Sequence, residues 1–164
     1  MQKIRPVMLG LGLAALGGVA AASIPPSYRV MVVSEDTEAA ARSDALVQYM
    51  SGMEAFARVA PAVERSGVRA CLQDKDFGRC VRALIPTPEH WQDPAHIVIR
   101  AEAAGPGRLA WLCVGSGAYR PPADDQQVEV DARTALFGQG EAQSAALRAA
   151  MACIQSAALE SSRP

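Results

Sequence analysis

Two hydrophobic periods divide this chain. In its first half apolar side chains recur every three to four residues: Leu46, Tyr49, Met50, Met53, Phe56 and Ala60 fall on one helical face. Ahead of them Ser34-Glu35-Asp36-Thr37-Glu38 offers capping oxygens, and negative charge where a helix N-terminus is electropositive. Pro61 ends this run or opens a second short helix, a place that tolerates proline. Methionine and aromatic stripes at this spacing are usually core. A second helical run follows at Phe77, Cys80, Val81 and Leu84, with Asp74 or Asp76 placed to cap it and Pro86 and Pro88 to stop it.

At His96 the period changes to two. Ile97-Val98-Ile99-Arg100-Ala101-Glu102 reads as a strand with Arg100 and Glu102 on its wet side, and Ala104-Gly105-Pro106-Gly107 is a turn signal. Leu109 to Val114 makes a second strand. After the loop GSGAYRPPADD, Val128, Val130 and Ala132 alternate with polar neighbours as a third. A last helix spans about Gly140 to Leu159, with Leu147, Met151, Ile154 and Ala158 as its stripe. The pattern predicts an α+β fold in which N-terminal helices and a C-terminal helix pack on one face of a small three-stranded antiparallel sheet.

The N-terminus carries a different signal. Lys3 and Arg5 precede an uncharged Leu/Gly/Ala run from Val7 to Val19, and Ala20-Ala21-Ala22 supplies small residues at the A-x-A spacing. Residues 1–23 read as a secretory signal peptide cleaved before Ser23 or Ile24. The competing reading is an N-terminal anchor, since Val7 to Ile24 just reaches a spanning length. Residues 24–164 then form a single exported domain, periplasmic or secreted, with no membrane span once the signal is removed. Without Lys3 and Arg5 the 16 basic side chains fall to 14 against 17 acidic ones, a net charge of -3. That balance argues against a nucleic-acid partner.

Half of the chain is hydrophobic, but much of that half is alanine and only 5% of residues are aromatic. Such a core buries little area per residue, so reinforcement is expected from the four cysteines. Four permit three disulfide pairings. Cys71 and Cys80 flank a tight connection and pair locally. Cys113, central in the most apolar strand, pairs with Cys153 beside the buried stripe of the last helix.

Three stretches invite chemistry. In ACLQDKDFGRCV, Asp74, Asp76 and Gly78 alternate like the start of a calcium loop. Arg79 then stands at the obligatory glycine and Ile85 at the bidentate glutamate. The cysteines are also too far apart for a C-x-x-C redox pair, which leaves a staple. EHWQDPAH gathers His90, Asp93 and His96, but His-x5-His is a poor zinc spacing and Pro94 breaks any helix between them. VGSGAYR falls short of the G-x-S-x-G nucleophile elbow. It does set Ser116, Tyr119 and Arg120 in a polar-aromatic loop of the kind that carries recognition.

With no catalytic set assembled, no metal and no cofactor expected, the sequence reads as a non-enzymatic binding or accessory module of the bacterial cell envelope. Its partner is then another envelope or secreted protein, contacted through Ser116, Tyr119 and Arg120. The alternative is a small periplasmic hydrolase or metal-dependent enzyme using His90, Asp93 and His96.

Overall fold

A computed structural model describes residues 27–90, 93–116 and 127–161. The segment YRVMVV forms strand β1 (Tyr28–Val33). Tyr28 and Val30 are buried toward one side and Met31 and Val33 toward the other. A strand covered on both faces has no reason to alternate, and strands in parallel sheets read as continuous apolar runs. β1 lies parallel to β2 (Val59–Pro61) on one flank and to β3 (Ala95–Gly105) on the other. β3 pairs antiparallel with β4 (Arg108–Gly115), and β4 with β5 (Val128–Asp131).

The result is a five-stranded mixed sheet in the order β2-β1-β3-β4-β5. This corrects the expected three-stranded antiparallel sheet: that meander is present as β3-β4-β5, but two parallel strands extend it. Both were hidden by their context. β1 lacks polar alternation, and β2 is only three residues long and ends in Pro61, which a sheet edge tolerates. The first helix, α1 (Thr37–Ser51), also stops earlier than its stripe implies. Asp36 Oδ1 accepts from the N–H groups of Glu38 and Ala39 at its start. Met53 and Phe56 continue the apolar face through a 3-10 turn, Glu54–Phe56, and Ala60 belongs to β2.

Helices cover both faces rather than one. On the first face lie α1, the short α3 (Ala132–Phe137) and α4 (Gly140–Ser161), over Ile97, Ile99, Leu109, Trp111 and Val130. Ala132, expected to end a strand, instead opens α3, because the Asp131 carboxylate accepts from the Thr134 N–H at 2.8 Å and caps the turn. Trp111 Nε1 donates to Ser43 Oγ at 2.9 Å in the buried space between β4 and α1. The Cys113–Cys153 disulfide ties β4 to α4. On the second face a 3-10 turn, Arg69–Gln73, and α2 (Phe77–Leu84) cover Met31, Val33, Val98 and Val114. The Cys71–Cys80 disulfide joins that turn to α2, so both pairings are as expected from the elements. Among the described residues no helix is long and apolar enough to cross a membrane.

Two stability outcomes follow. The 113–153 bond spans a sequence separation of 40 and the 71–80 bond one of 9. The chain-entropy account gives about 4 kcal/mol for the first loop and under about 3 kcal/mol for the second. Melting Cys113→Ala/Cys153→Ala against Cys71→Ala/Cys80→Ala should therefore show the larger loss in the former, and equal losses would refute the ranking. Separately, Ser43→Ala strands a buried indole N–H and should cost about 1–3 kcal/mol. Trp111→Phe in the same background should then cost less than it does alone, and an additive double mutant would show that the bond contributes nothing.

Candidate functional site

At the start of β3 the second face of the sheet turns polar. The Ser116 N–H donates to the His96 carbonyl at 3.1 Å, which sets these residues opposite one another at the start of β3 and just past β4. On the other flank Arg29 of β1 is in register with His96. Each lies two residues from a side chain of the second core, Met31, Val98 and Val114 respectively, so all three share that face. Arg29, His96 and Ser116 thus form a row across three adjacent strands spaced about 4.8 Å apart.

The row is short of partners. Ser116 is 1% exposed, and among the described residues neither its Oγ nor His96 Nδ1 has a hydrogen-bond partner although both atoms are buried. A buried polar atom left unpaired costs about 1–3 kcal/mol, so the fold keeps these two at a loss. Desolvation lowers the His96 pKa, and the charges of Arg65 and then Arg29 lower it further. No carboxylate among the described residues counters this shift, so the imidazole favours its neutral form, with one donor and one acceptor nitrogen. Neither Arg29 nor Arg65 forms an ion pair among the described residues.

A serine nucleophile needs a base that takes its proton and a third group that orients the base. Here Ser116 Oγ makes no bond to His96. Asp93 is engaged elsewhere, its Oδ2 accepting from the N–H groups of Glu89 at 3.0 Å and His90 at 2.9 Å to close a turn. His90 is exposed on that turn. The structure therefore brings His96 to Ser116 but does not bring His90 and Asp93 into a relay with them. Asp74 and Asp76 are likewise used locally, accepting from the N–H groups of Asp76 and Arg79. Among the described residues no group of three or more His, Cys, Asp or Glu side chains is placed to hold a metal.

What the arrangement offers is a neutral imidazole and a hydroxyl beside two unpaired guanidinium groups, a set that suits an anionic oxygen. Of the residues expected in the recognition loop, Ser116 is in this row, while Tyr119 and Arg120 lie outside the described residues. Arg29 is not legible without β1, whose available signal is the short β-branched run YRVMVV between Pro25-Pro26 and Ser34-Glu35-Asp36. Arg65 lies in the irregular segment after β2, where no periodic signal exists.

The lowered His96 pKa has a signed consequence. Below the unfolded value of about 6.5 the unfolded chain takes up a proton that folded His96 resists, so stability falls as pH drops through that value and levels off below the folded pKa. Thermal melts between pH 7 and pH 5 should show a shallower decline for His96→Gln than for the wild type. Parallel declines would remove His96 as the source.

No protein-family model matches the chain, and neither a curated protein nor a solved structure does.

Proposed function

We propose that the protein is an exported, non-enzymatic binding module of the bacterial cell envelope, of the inhibitor, immunity or partner-binding kind. In this reading it captures an acidic segment of another envelope or secreted protein at the Arg29–His96–Ser116 row. The observation that carries it is the pair of arginines, without ion pairs among the described residues, beside an imidazole whose protonated form desolvation and their charges disfavour. That environment favours holding an anion over activating a nucleophile. Two disulfides suit an oxidising compartment, and residues 1–23 read as the signal that delivers the chain there. Tyr119 and Arg120 follow Ser116 in sequence and supply the aromatic and basic character common in recognition loops. A hydrolase built on His90, Asp93 and His96 has less support, because the Asp93 carboxylate is committed to its own turn.

The test compares the wild type with Arg29→Glu/Arg65→Glu as baits in envelope extract, with mass spectrometry of what is retained and melting curves to establish that both fold. An acidic partner held by the wild type should fall about tenfold or more with the reversed bait, the effect of setting like charges against each other. Equal capture by both baits would overturn the assignment to this row. An esterase or peptidase activity abolished by His96→Gln would replace it with the hydrolase.

A further inference from the structure

At the far end of the sheet, on the opposite face, α1, α3 and the β3–β4 turn enclose an open cavity of about 440 Å³. Pro106, Ala132, Leu136 and Phe137 give it apolar walls, and Arg42 and Arg133 are its charged lining. The volume falls in the range of small-molecule sites, about 300–1,000 Å³. The turn is shaped by Gly105 and Gly107, whose φ of 139° and 73° few other residues adopt. At Gly107 the backbone comes so close to α3 that an added Cβ would lie 3.5 Å from the Arg133 Cβ.

Three features of this cavity point to its occupant. Phe137 is 80% exposed although it has a groove wall to lie along, so apolar surface stands ready to be covered. The two cations are not equivalent: Arg42 is paired with Glu38, whereas Arg133 has no ion pair among the described residues. Asp131, two residues before Arg133, is held low chiefly by the Thr134 N–H and senses Arg108 as its charged neighbour. One uncompensated positive charge therefore borders an apolar cleft. Finally, Pro106 has no N–H, and among the described residues no lining side chain carries a hydroxyl, amide or carboxylate. A peptide would leave its backbone groups unpaired here, whereas a hydrocarbon chain needs no such partners.

We propose that this cavity is a ligand site for an aliphatic monocarboxylate, with the hydrocarbon chain along Pro106, Leu136 and Phe137 and the carboxylate on the Arg133 guanidinium. The site is separate from the Arg29–His96–Ser116 row and stands or falls without it.

The test uses octanoate and octan-1-ol, which share a chain length and differ in charge, titrated into the folded protein by calorimetry and amide NMR. Octanoate should bind one-to-one with a Kd below about 1 mM and shift the amides of Gly107, Leu136 and Phe137. Octan-1-ol should bind about tenfold more weakly, and Arg133→Gln should weaken octanoate by about tenfold while leaving octan-1-ol unchanged. Phe137→Ala should weaken both, and both Arg148→Gln on α4 and Arg29→Glu/Arg65→Glu should weaken neither. Absence of saturation at several millimolar, equal affinity for acid and alcohol, or shifts mapping elsewhere would each overturn the proposal.

Discussion

The structure depends on one constraint: β1 and β3 are buried on both faces. Ile97, Ile99 and Ala101 point into one core and Val98 into the other, and β1 divides Val30 from Met31 and Val33 in the same way. Apolar side chains on both faces require two covering layers. Connectivity supplies them. β2 lies on one flank of β1 and β3 on the other, so the chain moves across the sheet in opposite directions on its two parallel connections. Right-handed crossovers in opposite directions fall on opposite faces. That places α1 on the first face and α2 on the second.

The two layers are built to different standards. On the first face, α4 presents Ala146, Ala150 and Ala157 to the sheet, small side chains that bring its backbone close and leave Cys153 within reach of Cys113. Trp111 adds bulk there, with its indole N–H satisfied by Ser43. Among the described residues the second face has an eight-residue helix and a 3-10 turn stapled to it. This layer covers the centre of the face, and Arg100 extends it by lying over the Phe77 ring at 5.7 Å. Beyond it, at the start of β3, lie Arg29, which is exposed, His96, which is half-buried, and Ser116, which is buried. The candidate site is thus set by where this layer ends as well as by the residues in it.

The same physics decides what was legible in the sequence. Elements with polar residues at periodic or capping positions announce themselves: β3 through Arg100 and Glu102, β5 through Glu129, and α2 through the Asp76 cap. The disulfide pairing was legible because each cysteine sat on an element of recognisable type. β1 was not, since burial on both faces erases its period, and a short apolar run carries no length signal of its own. β2 was masked by Pro61 and by an apolar face that runs on past Gly52. Of the row's residues the sequence points to Ser116 for binding and to His96 only for the alternative enzyme site. The neighbours of His96 in the row come from adjacent strands, a relation that no spacing along the chain records.

The two proposed sites differ in what the fold invests in them. They lie about 30 Å apart along β3, from His96 at its start to Gly105 at its end, at the rise of a strand. The α3 cavity leaves apolar surface and one guanidinium uncovered, a state that costs the free protein little because Arg133 stays hydrated. The His96–Ser116 end instead holds two polar atoms away from water with no bond to either. Local rules are broken at a cost mainly where function demands it. An adjacent apolar pair at these positions would remove the loss, so packing alone does not account for the polar pair. Desolvation first, and then the charges of Arg65 and Arg29, disfavour the protonated imidazole, and under the proposed reading those same cations would draw an acidic partner.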